Sequence, residues 1–459
     1  MRSAIIIGGG ISGLAAAWEL RGTTDVTVLE SAPRVGGQMR SAYLAGVPVD
    51  VGAEAVTALR PEAVGLVHEV GLGEALRDPA RAATVVWSNG ALRTFPGEHV
   101  MGIPVDPVGL TGTGLLSDGG IDRLRREEAL PARGLERDVA VAEYLAGRIG
   151  REAVDRLVAP LVGARDGASA DRLSLRAALP RLAAVADHGG SVIGALRTVR
   201  TAPPPLGGAA QGLQGGLSRL PRVVAQASGA RILTGTRAQE LRRTPSGRWR
   251  VLAATADGPL VVEADAVVCA LPAPAAAALL YPHAPGADAE LDSIRHAGTA
   301  VVTLAFSRAV MPKRIPQGNG YVVPPIEGWA TREVTFLSNK WQHLAAAEPG
   351  LFLLRISMGH IEEERQLALP DRHLIRTAVR ELRQALGAVG EPVAAHVMRW
   401  ENALPQYDVG HMERVARIHS AVRELPGVDI CGAAFAGVDV AACVATGRAA
   451  ALRLLGAAA

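Results

Sequence analysis

The sequence predicts an α/β protein with a Rossmann-type nucleotide-binding domain, an inserted helical domain and an antiparallel-sheet domain. Three observations carry this. A β-α-β fingerprint occupies residues 3–30, apolar residues recur at three-to-four spacing through much of 107–199, and short strand-like runs accompany one long amphipathic helix between 276 and 399.

Ser3-Ala4-Ile5-Ile6-Ile7 reads as a short buried strand, Gly8-Gly9-Gly10-Ile11-Ser12-Gly13 as a tight turn and 14–20 as an apolar helix face. Residues 25–29 form a second strand ending in Glu30. Gly8 permits the turn, Gly10 lets backbone approach a pyrophosphate, and Gly13 lets helix pack on strand. The phosphates sit on the N–H groups at the helix start. Glu30 stands where an acidic side chain accepts hydrogen bonds from a ribose, about 20 residues on. Strand, helix, second strand and terminal acid together predict dinucleotide binding.

Ser31-Ala32-Pro33-Arg34-Val35-Gly36-Gly37-Gln38 completes an E-x-x-x-R-x-G-G pattern. It resembles the FAD-binding amine oxidase and porphyrinogen oxidase superfamily, in which a second glycine pair lets the chain pass close to an extended dinucleotide.

Composition bounds the rest. With 459 residues, 49% of them hydrophobic, the chain can bury two or three domain cores. A net charge of +3 from 48 basic and 45 acidic side chains argues against a nucleic-acid surface. Only Lys313 and Lys340 are lysines among the basic residues, a bias that reads as genomic rather than functional. Cys269, Cys431 and Cys443 lack metal-ligand spacing and read as small core residues of a cytoplasmic protein, with no metal expected. No signal peptide precedes the first strand, and no run reaches the ~18–20 apolar residues of a spanning helix, which leaves peripheral membrane contact open.

Farther along, 47–54 reads as a strand entering a glycine loop at Gly52-Ala53-Glu54, and 61–72 as an amphipathic helix. Residues 84–93 read as a hairpin turning at Asn89-Gly90. Helical spacing follows at 138–145, 151–161 and 173–186, with Asp171-Arg172 as the cap of the last. Pro203-Pro204-Pro205 with Gly207-Gly208 marks the return. Residues 211–220 open a helix, 231–234 form a strand, 249–253 and 260–263 a hairpin, and 266–271 a strand. Strands at 300–307, 320–323, 333–338 and 351–358 accompany a helix at 374–386. A strand at 428–430, a turn at 436–440 and a helix at 441–455 close the chain, with the helix start placed to stabilise negative charge on a reduced ring. The division is thus 1–92, 205–275 and 400–459 for nucleotide binding, 93–204 helical, and 276–399 for substrate.

Met398-Arg399-Trp400 with Leu404-Pro405-Gln406-Tyr407-Asp408-Val409-Gly410-His411 resembles the R-W…P-Q-Y-x-V-G-H signature of protoporphyrinogen and coproporphyrinogen oxidases. Gly52-Ala53-Glu54 with Arg60-Pro61-Glu62, Val100 to Pro104, Asp171 to Leu175 and Asn339-Lys340-Trp341-Gln342-His343 are similar to other segments of that family. The resemblance runs from residue 4 to about 455 and is nearest to the soluble bacterial branch.

It implies FAD, dioxygen as acceptor, and a six-electron oxidation of coproporphyrinogen III to coproporphyrin III in heme biosynthesis. Hydride passes to flavin N5 three times, with peroxide released and with no single protein acid or base assigned. Other heme-pathway enzymes are candidate partners. Implied FAD contacts are Gly8, Gly9, Gly10, Ile11, Ser12, Gly13, Glu30, Ser31, Arg34, Gly36, Gly37, Gln38, Gly52, Ala53, Glu54, Ala55, Ala238, Ala433, Val438, Asp439 and Val440. Implied substrate contacts are Arg60, Met101, Gly102, Arg165, Gly320, Val322 and Lys340, the cations as partners of propionates. His411 reads as structural. Gly163-Ala164-Arg165-Asp166-Gly167 departs from the family's G-x-Y-A-G segment, and Asp439 stands where Gly or Ala is usual; a carboxylate facing the ring there would disfavour an anionic reduced flavin. Protoporphyrinogen IX oxidation, another flavin oxidoreductase and a non-catalytic flavoprotein remain alternatives on the same fold.

Overall fold

A computed structural model describes residues 2–132, 134–199, 210–312, 318–361, 364–387 and 389–456. The proline and glycine run at 203–208 lies outside the described residues.

Three apolar, β-branched runs generate the central layer. β1 (Ser3–Ile7) and β2 (Asp25–Leu29) pair in parallel, flanked by β3 (Arg231–Leu233), β4 (Ala266–Cys269) and β5 (Val428–Ile430), in the order β3-β2-β1-β4-β5. Ile5, Ile6, Ile7 and Val28 are buried on both faces, as parallel strands covered by helices require. α1 (Ile11–Leu20), α2 (Pro61–Glu69) and α3 (Val440–Gly456) pack Ile11, Leu14, Leu66, Val440 and Val444 into one apolar cluster. Gly447 makes the approach of α1 and α3 feasible, since a Cβ there would meet the Ser12 carbonyl.

A seven-stranded sheet forms the second layer. Its strands run in the order Ala394–Pro405, His296–Ser307, Leu351–Met358, Thr331–Phe336, Gly320–Val322, Val85–Ser88 and Ala91–Thr94. The hairpin turns at Asn89 and Gly90, both with positive φ, as the Asn-Gly pair predicts. It extends the substrate-side sheet although most of it lies inside segment 1–92, and Ala394–Pro405 carries that sheet past residue 399. One face packs Val334, Phe336, Leu354 and Ile356 against the helix Asp371–Leu386. The other turns toward the parallel sheet and the helices.

The block is helical as its spacing predicts, with Val141–Ile149, Arg151–Ala153 and Ala159–Asp166, but the run at 173–186 breaks at Leu179 into Leu175–Ala178 and Pro180–Asp187, and Val192–Val199 adds a helix. A π-helical turn at Val154–Val158 joins the second and third. Asp171 does not cap the next helix: it pairs with Arg151, and Ser174 caps Leu175–Ala178 by accepting from Ala177 N–H at 3.0 Å. Helices Ala273–Leu280 and Pro285–Asp292 were not foreseen, because the Ala-rich first one is apolar on every side and shows no period. Among the described residues no helix is long and apolar enough to cross a membrane, and no cluster could hold a metal ion.

Candidate flavin and substrate site

The glycines of the fingerprint divide by what surrounds them. A Cβ on Gly8 would run into the Ala270 carbonyl, and one on Gly13 into the Gly8 carbonyl, so both permit close packing. Gly52 does the same against the Gln38 carbonyl. Gly10 differs: a Cβ there would meet nothing within 4 Å, and one on Gly37 would lie 3.5 Å from Gly10 Cα. These two glycines line open space at the start of α1, whose cap carries no side-chain hydrogen bond and whose first turn holds no acid. That is the arrangement a diphosphate needs. Ile11 and Ser12 form the buried first turn behind it.

Hydrogen bonds join the surrounding segments. Gly36 N–H donates to Gly9 O at 2.8 Å, and Ala53 N–H to Gln38 O at 3.1 Å. Glu30 Oε2 accepts from Gly9 N–H at 2.8 Å, and Oε1 accepts from Ala32 N–H at 2.7 Å and the Ser31 hydroxyl at 3.3 Å. The carboxylate is therefore fixed at the tip of β2. Arg34 donates to Val35 and Gly37 carbonyls, bracing the second glycine turn, and Gln38 donates to Ala403 O at 2.7 Å. Ala238 is the second residue of an antiparallel strand, Arg237–Arg243, and packs against the core that contains Leu29.

On the opposite wall, Tyr407 holds the 433–437 loop at both ends. Its hydroxyl donates to Ala433 O and accepts from Gly437 N–H at 2.8 Å. His411 stacks on the Tyr407 ring at 3.9 Å between centroids, fully buried, and burial followed by Arg414 pushes its pKa down to about 4. His411 is structural through stacking and burial rather than as a hydrogen-bonding group, since neither ring nitrogen meets a partner in hydrogen-bond geometry among the described residues. Asp439 Oδ1 accepts from Ala442 N–H at 2.9 Å and so caps α3, while its other oxygen lies 3.8 Å from Arg60 Nη1. Asp439 is thus a helix cap paired with a cation.

Glu54 and Lys340, expected as a cofactor and a substrate contact, bind each other here: Lys340 Nζ is 2.8 Å from Glu54 Oε1, which also accepts from Trp341 Nε1 at 2.7 Å. Arg355 Nη1 donates to Glu54 Oε2 at 2.8 Å, and Arg355 Nη2 to Gly52 O at 2.8 Å. Although burial opposes ionisation, the two cations and their hydrogen bonds hold Glu54 down at about 2. Nearby, burial pushes Asp50 up to about 7 despite hydrogen bonds from Ser41 and Leu217 N–H. The network braces the Gly52–Ala55 backbone from behind. Sequence reasoning missed Arg355, whose signal was a lone cation in the apolar run Leu351-Phe352-Leu353-Leu354.

Of the substrate-side residues, Met101 and Val322 join Val438 in one continuous apolar cluster. Met101 and Gly102 both have positive φ, and a Cβ on Gly102 would meet the Leu157 carbonyl in the π-turn. Arg165 ends the helix Ala159–Asp166 beside Met101, its Nη1 3.9 Å from Met101 Sδ, and Gly167 closes that helix in the left-handed conformation. Gly320 has a packing role, since a Cβ there would strike the Val334 carbonyl of the neighbouring strand.

Comparison with known proteins fits this geometry. A family model described as flavin containing amine oxidoreductase matches residues 11–455. The chain belongs to that family. It is 34% identical over 98% of its length to a coproporphyrinogen III oxidase of Mycobacterium tuberculosis, covering 96% of that protein. It is 30% identical over 97% of its length to one of Bacillus subtilis, again covering 96%. A solved Exiguobacterium structure, provisionally described as a protoporphyrinogen oxidase, superposes with a TM-score of 0.88 at 27% identity over 99% of both chains. Within the family the chain therefore groups with the porphyrinogen oxidases. Cyclohexylamine oxidase of Brevibacterium oxydans shares the fold at a TM-score of 0.69 and 20% identity, with 99% of both chains covered.

Proposed function

We propose that the protein is an FAD-dependent oxidase that converts coproporphyrinogen III to coproporphyrin III in heme biosynthesis, with dioxygen as acceptor. The observation that carries the reading is the meeting, in one cluster, of Met101 and Val322 from the substrate side with Val438 from the nucleotide side, in a chain 34% identical to a coproporphyrinogen III oxidase.

FAD bound here supplies the hydride acceptor and the route to dioxygen. The chain's own residues bind and orient. The Gly10 and Gly37 backbone with the start of α1 holds the diphosphate, Glu30 the ribose, and the Tyr407-braced loop the ring edge. Arg60 and Arg165 are the cations assigned to propionates. Three cysteines, buried and unbridged, support the cytoplasmic placement.

The test is aerobic oxidation of coproporphyrinogen III and protoporphyrinogen IX by FAD-loaded protein, read by porphyrin fluorescence and peroxide release. Faster turnover of coproporphyrinogen, with about three peroxides per porphyrin as hydride chemistry through a flavin requires, is expected. A preference for protoporphyrinogen moves the substrate assignment, and bound flavin without turnover of either overturns it.

A further inference from the structure

The seven-stranded sheet has uneven chemistry on the face turned away from the helix Asp371–Leu386. At one end Val86 and Val322 belong to the apolar cluster that contains Met101 and Val438. At the other, Ala305 and Leu353 pack with Val49 and Trp341. Between them strand pairing lines up polar side chains. Glu333 stands opposite Val322 on one side and Ser357 on the other, and Thr335 stands opposite Arg355, itself opposite Thr303. Directly opposed residues of antiparallel strands share a face, with Cβ atoms about 5 Å apart. Glu333 therefore lies on the same sheet face as Val322, next to it.

An acid in the middle of a sheet is costly unless it is compensated. The charged groups around Glu333 are Lys340 after its own strand, Arg355 on the next strand and Glu54 from the glycine loop. Glu54 takes the direct contacts of both cations, at 2.8 Å each. Glu333 keeps the Thr335 hydroxyl and the longer-range field of the pair, and burial outweighs both, so its carboxyl is raised above the ordinary range. A half-buried acid held in this way, beside a proposed substrate wall, is a better proton acceptor than an ordinary surface carboxylate.

We propose that Glu333 is the proton acceptor of the oxidation inferred above, and the proposal rests on that reading of the substrate. In each two-electron step a meso C–H bond breaks and its electron pair leaves as hydride to the flavin. A pyrrole N–H bond breaks, its electron pair stays to complete the new C=N bond, and the proton passes to the Glu333 carboxylate and then to solvent. Three such steps remove three hydrides and three N–H protons, tautomerisation then moves one proton from the fourth meso carbon to a pyrrole nitrogen to give the porphyrin with its two N–H groups, and three dioxygen molecules accept the six electrons as peroxide.

The experiment compares wild type with Glu333→Gln, which keeps size and shape, and with Glu333→Asp. Stopped-flow mixing of the oxidised FAD enzyme with anaerobic coproporphyrinogen III reads flavin bleaching, while thermal unfolding and the Kd for coproporphyrin III report fold and binding. In Glu333→Gln, bleaching is expected to slow roughly 10²- to 10⁴-fold, the span of a lost general base, with unfolding temperature and Kd unchanged. The acid limb of the wild-type pH profile is expected to disappear in Glu333→Gln and to persist in Glu333→Asp. Bleaching at the wild-type rate in Glu333→Gln overturns the proposal, as does slowing that keeps the acid limb or follows a weakened Kd. Wild-type flavin that porphyrinogen fails to bleach overturns the substrate reading and this inference with it.

Discussion

Arg60 Nη1 lies 3.8 Å from Asp439 Oδ2, which ties the start of α2 to the cap of α3. Both side chains are about two-fifths exposed, at 40% and 43%, so the pair itself contributes little stability. The cap is the stronger part. Asp439→Ala should cost about 1 kcal/mol in chemical unfolding, whereas Asp439→Asn keeps the capping oxygen and should cost only a few tenths. Arg60→Ala should leave stability nearly unchanged and raise KM more for coproporphyrinogen, with four propionates, than for protoporphyrinogen, with two. Equal effects on both substrates would remove Arg60 from substrate recognition.

Gly10 and Gly13 share a motif but should fail differently. Gly10→Ala fills open space, so the apoprotein should melt at the wild-type temperature and retain much less flavin through gel filtration, read by visible absorbance. Gly13→Ala pushes a methyl group into the Gly8 carbonyl and should destabilise the apoprotein itself by about 1–3 kcal/mol, the usual cost of overpacking.

The Glu54 network predicts an acid-labile bond between the two layers. Its folded pKa lies near 2 against an ordinary 4.5, so its stabilisation is complete above about pH 4.5 and is lost as pH falls toward 2, a swing of about 3 kcal/mol by linkage. Glu54→Gln should abolish that swing and, by leaving Lys340 and Arg355 without their carboxylate, cost about 3–5 kcal/mol at neutral pH. Urea unfolding of both proteins across this range checks it. The difference between them separates Glu54 from Asp50, which is raised to about 7 and titrates in the opposite sense.

His411 gives a second pH signature at higher pH. With a folded pKa near 4 and an ordinary value of 6.5, the unfolded chain binds the proton first, so stability should fall as pH drops from about 6.5 to 4. His411→Phe preserves a ring against Tyr407 and should flatten this part of the melting-temperature profile.

The local parts of this molecule were legible in the sequence. The expected strands at 3–7 and 25–29 and the Asn89-Gly90 hairpin follow from period, glycine placement and turn chemistry, all set by near neighbours. Long-range pairing was not. Nothing in the sequence joins Glu54 to Lys340 or selects Arg355 as their companion, because alternation in a strand gives two faces without saying what covers either one. Asp439 was readable in principle, as an acid just before a helix. The flavin resemblance drew it toward the ring, while the backbone N–H of Ala442 claims it. Glu333 shows the same limit: its polarity was visible, and its position beside Val322 needed the register.

The close seating of α3 on α1 at Gly447 and Ser12 has a consequence for biogenesis. During translation the glycine cradle leaves the ribosome well before β5 and α3, which complete its sheet and cover its helix. The nascent chain must therefore carry Leu14 and Trp18 of α1 without their final cover for most of synthesis, an interval in which exposed apolar surface invites chaperones or aggregation. Stable flavin capture is expected only once α3 has emerged and folded, and a ribosome stalled before residue 428 should hold a chain that does not retain the cofactor.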